Sequence, residues 1–471
     1  MSVIAITKPA SGRAKTARSC FKAAHTGFKA THRRFAMLAA AALIAVLSPA
    51  AARADCDVPD NGTGIPEDVA FRADIGGTRA ALANAGIGVG GAYYGEAFHN
   101  WGGIKDGGAY DGVLELYINA DMKKLGLWKG LCFFANGYQI HGRSVTGEYV
   151  GSLMPISNLE ATPATRLFEM WFEQKLFDDR VAVRFGQMAA DAEFIISEGG
   201  GYFLNGTWGW PSISAEALPS GGPAYPLATP GVRVAINPSE RYGLMVALYN
   251  GDPADPCRYE DPQLCNNHGV DFRMEGPPLL MAEGMYNYSP DGLRGIIKFG
   301  GWNHFGDFEH LLTDVAGTPI AVSGDPGRIL NDNWGLYGII DQLIWRVPGS
   351  EEAQGVGLFA RFIGTPDDRN LIDFYFDTGV TFTGMITGRP ADALAVGFAY
   401  SRISDKVSAF DIGTGEPVAR NYESLIEVTY TYQINDGWNV QPTFQYIFQP
   451  GGNVADVDDA AVVGARSSLN F

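Results

Sequence analysis

Glu169 and Glu173 are the carboxylates whose spacing first suggests chemistry, four residues apart with Trp171 between them. A pair of acids is what glycoside hydrolysis needs, one to protonate the leaving oxygen and one to attack or to activate water. The run 166–176, however, alternates, with Phe168, Met170 and Phe172 set against Glu169, Trp171, Glu173 and Lys175. Alternation marks a strand, and on a strand two residues four apart share a face at about 13 Å. The hydrolytic geometries want about 5 to 9.5 Å. The two acids are therefore read as lining rather than as a catalytic dyad. No HExxH, P-loop or GxSxG motif is present and the seven histidines are scattered, so no catalytic residue, metal site or cofactor is expected.

Carboxylates, guanidinium groups and aromatic rings on a wet surface suit a different task, the weak and repeated contact with hydroxylated solutes that lets a solute enter and leave. In 180–188 the apolar Val181, Val183 and Phe185 leave Arg184 on the other face, and in 231–237 Val232, Val234 and Ile236 leave Arg233. Near the front, Leu114, Leu116 and Ile118 oppose Glu115. Glu115, Glu169, Trp171, Glu173, Arg184 and Arg233 are the candidate lining, with ion pairing that merely stiffens a wall as the plainer reading of the charged ones. Tyr202, Trp208 and Trp210 fall in a Gly-, Pro- and aromatic-rich stretch, 189–230, with little periodicity. They are read either as a stacking surface for a solute or as anchors for a loop.

Period-two segments of this kind recur at 87–98, 112–123, 130–141, 166–176, 180–188, 231–237, 242–250, 281–288, 294–303, 334–346, 355–364, 371–383, 393–403, 421–434, 437–448 and 461–471. That makes about sixteen, the 334–346 stretch alternating worst. After residue 54 no run of about eighteen apolar residues appears, so no transmembrane helix is expected. A soluble sandwich would bury the apolar faces, whereas a membrane barrel would turn them to lipid and its polar faces to water. An even number of strands, aromatic strand ends and a last strand closing in register on Phe471 favour the barrel. The expected fold is all-β, a transmembrane antiparallel β-barrel of about sixteen strands. A short N-terminal helix over 74–85, capped by Asp74 and stopped at Gly86, precedes it, and 189–230 is expected to fold inward as a long loop.

Residues 1–54 hold nine of the 35 Lys and Arg and no acid, then an apolar stretch from Ala36, then Ala52-Arg53-Ala54. That is the layout of a secretory signal peptide, with cleavage expected after Ala54. The chain thus divides into a leader (1–54), an N-terminal segment with the short helix (55–86) and the barrel (87–471). Past the leader, 26 bases face 52 acids, a poor balance for nucleic acid and one that reads as acidic loops, an acidic lumen or plain solubility. An exported chain meets oxidising conditions, and Cys257 and Cys265 bracket a hydrophilic RYEDPQL loop suited to a disulfide. The partners of Cys56 and Cys132 stay open, and the acids Asp252, Asp255, Glu260 and Asp261 read as a solvated loop without calcium-loop spacing.

Several stretches resemble the OprB-type, carbohydrate-selective porins: DIGGTRAALANAGIGVGGAYYGEAFHNWGG (74–103), YDGVLELYINADMKKLGLWKGLCFFANGYQIHG (110–142), LFEMWFEQKLFDDRVAVRFGQMAADAEFIIS (167–197), YFLNGTWGWPS (202–212) and PTFQYIFQPGGNVADVDDAAVVGARSSLNF (442–471). The resemblance implies a sixteen-stranded outer-membrane barrel through which glucose-like sugars diffuse passively into the periplasm. The 257–265 cysteine loop departs from the family pattern. Two other functions fit the residues: a general diffusion porin for small polar solutes or cations, and a secreted soluble β-rich carbohydrate-binding protein or hydrolase. The expected partners are small sugars and outer-membrane lipid, no nucleic acid, and a homo-oligomer is compatible with the chain.

Overall fold

The computed structural model describes residues 56, 58, 69, 76–350 and 354–471; the expected leader lies outside them. Among the described residues sixteen strands follow in order: β1 (Ile87–Gly103), β2 (Gly107–Asp121), β3 (Leu131–Gly142), β4 (Ala164–Leu176), β5 (Val181–Met188), β6 (Thr229–Ser239), β7 (Tyr242–Asn250), β8 (Pro278–Tyr288), β9 (Gly295–Asp314), β10 (Gly327–Arg346), β11 (Gly355–Gly364), β12 (Ile372–Thr383), β13 (Ala393–Ile403), β14 (Tyr422–Asn435), β15 (Trp438–Phe448) and β16 (Asp458–Asn470). Each pairs antiparallel with the next and β1 closes on β16, so the sheet is a barrel without edges. Every expected strand is present. β9 and β10 run about ten and seven residues further than the alternation suggested, to Asp314 and from Gly327.

The apolar faces point outward. Leu116 is 55 % exposed, Phe299 65 % and Phe362 49 %, values that only a nonaqueous surround makes tolerable. Aromatics gather at both rims of this belt, Trp101, Tyr400, Tyr422 and Tyr446 towards one end and Tyr242, Tyr286, Trp345 and Tyr432 towards the other. Connections alternate likewise. One end carries 143–163, 189–228 and 251–277, and the other carries tight links such as 177–180, 240–241 and 436–437.

Two of the long connections turn inward and make the interior of the barrel its hydrophobic core. Phe194, Ile195, Phe203, Leu204, Trp208 and Ile213 of 189–228 join Met154 and Ile156 of 143–163 against inward residues of the wall. Each such side chain contributes roughly 1.5–3 kcal/mol by burial, against about 1–2 kcal/mol of backbone entropy for every residue ordered. Apolar contact alone does not hold so long a segment, and the wall adds polar tethers. Glu283 accepts from Ile195 N (3.1 Å), Asp341 from Ser197 Oγ and Gly199 N (2.7 and 2.8 Å), and Asn333 Nδ2 donates to Ala217 O (2.8 Å). The two insertions also bind each other, Gly206 N donating to Pro155 O and Asn158 N to Leu204 O.

The N-terminal helix is shorter than expected. α1 (Thr78–Asn84) starts at Gly77, left-handed at φ 81 and without a side-chain cap, and Asp74 lies outside the described residues. Cys56 is bonded to Cys132 at the start of β3, tying this segment to the tight-turn end. Cys257 is bonded to Cys265 in the 251–277 connection, which lies along β4 where β5 has already ended. There Leu167 N donates to His268 O (3.0 Å), Arg166 to Asn266 O (2.9 Å) and Gln187 to Gly269 O (2.9 Å). Gly269 has φ +66, and a Cβ there would lie 1.8 Å from Leu167 O, so only glycine allows the approach.

Candidate functional site

Register places the site. Glu173 of β4 lies opposite Arg184 of β5, and Arg184 opposite Arg233 of β6, all facing inward. Two adjacent guanidinium groups would repel, and Glu193, from the inserted 189–228 segment, supplies the second carboxylate. Arg184 contacts Glu173 at 3.0 Å and Glu193 at 3.3 Å; Arg233 contacts Glu173 at 2.9 Å and grips Glu193 through both Nε and Nη2. The quartet is neutral in sum and mostly buried. Beside it the Arg184 guanidinium lies 3.7 Å above the Trp171 ring. Phe134 stacks on Trp171 at 5.0 Å, and Tyr117 on Phe134 at 6.4 Å. Gly186, opposite Trp171 at φ +142, makes the room, since a Cβ there would meet Met170 O at 2.3 Å. Tyr117, Phe134, Trp171 and Arg184 are half-buried, forming a ladder of flat faces on the β2–β5 wall.

The other candidate residues sit apart from the quartet. Glu169 is buried and accepts from Ala189 N at 3.0 Å, fixing the point where the insertion leaves the wall. Glu115 accepts from Asn136 Nδ2 at 2.7 Å. Tyr202 borders a cavity on the tight-turn side of the insertion, with Glu198, Arg294, Asp341 and Thr381. Trp208 is 2 % exposed, donates from Nε1 to Glu427 at 2.7 Å and stacks on Phe203 at 4.4 Å; it anchors the insertion rather than lining water. Trp210 donates to Gly221 O within the same segment. Phe168 also departs from expectation. A register shift on the β3–β4 pair turns it inward beside Glu169, 5 % exposed, against Tyr138 and Tyr225. Of the acid-rich loop, Asp252 accepts from Ser220 Oγ and Asp261 from Thr162 Oγ1 and Gln263 N.

Sequence reasoning missed Glu193, Glu283, Asp341, Arg361 and Glu427. All but Glu193 stand at inward positions of strands, where a charge among small or apolar neighbours was the available signal. Glu193 lies in aperiodic sequence and gave none.

Burial sets the protonation of the inserted acids. Asp191 is pushed up to about 6 by desolvation, partly offset by the N–H of Tyr225. Glu160 is pushed up to about 7 by desolvation, opposed by bonds from Ser144 and Thr146 and reinforced by nearby Glu96. The folded state then holds the Glu160 proton more tightly than the unfolded chain does. Its docking is most stable in acid and weakens as pH rises from about 4.5 through about 7, by on the order of 3 kcal/mol. Hydrogen exchange across 144–160, corrected for intrinsic rates, should therefore accelerate from about pH 5 to about pH 8. Glu160→Gln should flatten that slope, and an unchanged slope would contradict the assignment.

The matching family model, described as the carbohydrate-selective porin, OprB family, covers residues 105–471. Porin B of Pseudomonas aeruginosa is 24 % identical over 438 residues, which is 84 % of this chain and 90 % of that protein. The putative porin QuiX of Acinetobacter baylyi is 32 % identical over 131 residues, 24 % of this chain and 30 % of its own. Among solved structures, the high-pH form of Pseudomonas putida OprB aligns with a TM-score of 0.76 at 22 % identity, covering 84 % of this chain and 97 % of that one.

Proposed function

Because the chain belongs to the OprB family of carbohydrate-selective porins, and so is an outer-membrane channel without a chemical step, we propose that small neutral sugars cross it along the β2–β5 wall. The ladder Tyr117–Phe134–Trp171–Arg184 beside a charge-balanced quartet is the observation that carries this reading. A pyranose offers an apolar C–H face to a ring and hydroxyls to guanidinium and carboxylate groups. Each contact is weak and the contacts are sequential, which favours passage over retention. The quartet matches each of its acids with a base, so the quartet itself attracts neither cations nor anions strongly. That distinguishes it from a cation-favouring general porin, despite the acidic composition of the chain.

The test is swelling of proteoliposomes in isotonic glucose, a disaccharide and a size-matched polyol. Glucose should enter faster than the polyol, and Trp171→Ala should reduce the glucose rate severalfold while leaving the polyol rate nearly unchanged. Equal entry of glucose and polyol in the unaltered protein would make it a general diffusion channel.

A further inference from the structure

We propose that Arg361 is a positioning residue for transport, a clasp that fixes the inserted 189–228 segment and thereby sets the width of the path; this rests on the reading that the segment narrows a sugar channel. Arg361, on β11, is 0 % exposed. Its Nη1 donates to Ile195 O at 2.7 Å and Gly209 O at 3.3 Å, and its Nη2 to Thr207 O at 2.9 Å and Trp208 O at 3.1 Å. On the wall side Asp377 of β12 accepts from Nε at 3.0 Å and Nη2 at 2.5 Å. Tyr375 donates to the same carboxylate at 2.7 Å and lies within 3.1 Å of Thr207 Oγ1.

One guanidinium therefore joins two limbs of the insertion, at 195 and at 207–209, to each other and to the wall. Only arginine offers several N–H donors in a flat fork that can reach separate carbonyls together; an ammonium concentrates its donors at a point. A buried ion pair adds little net stability, because desolvation offsets the attraction. What it contributes here is placement of the carbonyls it holds. The clasp also lies away from the solute path. Glu193, two residues before Ile195, reaches Arg184 and Arg233 on β5 and β6, whereas Ile195 O is held from β11. The same short span thus sets the distance between the insertion and the ladder on the β2–β5 wall. A shift at Arg361 moves Glu193, and reaches the ladder only through the Glu193–Arg184 pair.

The experiment compares the full protein with R361M/D377L, which removes the clasp without stranding a buried charge, with R361K, and with R402M/D373L. The last removes a wall ion pair between β12 and β13 that does not touch the insertion. Heat-modifiable gel migration reports the barrel; single-channel conductance and the disaccharide-to-glucose permeability ratio report the path. The expected result is a severalfold rise in conductance and ratio for R361M/D377L, an intermediate rise for R361K, and unaltered values for R402M/D373L, all with intact barrels. Should R361M/D377L not assemble, R361K carries the test. Unaltered conductance and ratio in either clasp variant with an intact barrel overturn the proposal. A ratio already at unity in the unaltered protein instead removes the narrowing on which it rests.

Discussion

Excising 191–222 and linking Ala190 to Pro223 through a short glycine turn is expected to yield a folded barrel with severalfold higher conductance and no discrimination between mono- and disaccharides. The join is short because the chain returns to its starting point, Ala190 N donating to Pro223 O at 2.5 Å. The strands do not depend on the insertion for their pairing, since each has two antiparallel neighbours throughout the closed sheet. Glu283, Asp341 and Glu427, which now hold the insertion, would meet water that enters a sixteen-stranded lumen freely. Planar-bilayer recordings and vesicle swelling check both effects. A barrel lacking 191–222 but keeping the original conductance would mean that the narrowing lies elsewhere, with the inserted 143–163 connection the next to test.

Replacing Arg233 by methionine should have the next largest effect. It strips one cation from between Glu173 and Glu193 and leaves Arg184 to serve both carboxylates. Breaking one side of a buried ion pair typically costs about 3–5 kcal/mol, enough to undock the insertion locally. The quartet would also change from neutral to net negative, so the reversal potential in a potassium chloride gradient should move towards that of a cation-selective pore. R233M/E193Q restores the balance and should return the potential towards its starting value. A cationic lysine at 233 should recover the charge but only part of the docking, because it cannot bridge both acids as the fork does. An unmoved potential in R233M would show that this quartet does not face the conducting path.

The barrel was legible because lipid on one side and water on the other impose a period of two on each strand. It was least legible where that contrast fails. β10 alternated poorly because its inward face carries Tyr337 and Ile339, which belong to the same buried apolar cluster as Phe194 and Ile195 of the insertion, so both faces are apolar. The far halves of β9 and β10 carry residues such as His304, Glu309 and Asn333 and lack the apolar face that would mark them as strand. Phe168 was misplaced by a bulge, which no periodicity can register. Of the site, Glu173, Arg184 and Arg233 followed from strand parity, and their common face needed only register. Glu193 could not be placed, because it arrives from a segment whose course is set by tertiary contacts rather than by local pattern. Trp208 had two readings from composition, and its bond to Glu427 is long-range information.

The 143–163 insertion has a consequence for assembly. The last joint of the cylinder unites the first and last strands, β1 and β16, and closes the longest loop in sequence, which makes it the slowest pairing to find by chance. Ser157 donates to Glu96 of β1 at 2.5 Å, while Arg466 of β16 reaches Glu96, Ser157 and Asn158 together. Leu153 and Met154 meanwhile hang from Glu423 of β14. A hairpin's own connection is thus a staple across the seam, visible only from inside. It gives both strands a shared polar contact on the inner side, so the seam is held by an interior segment as well as by its backbone ladder.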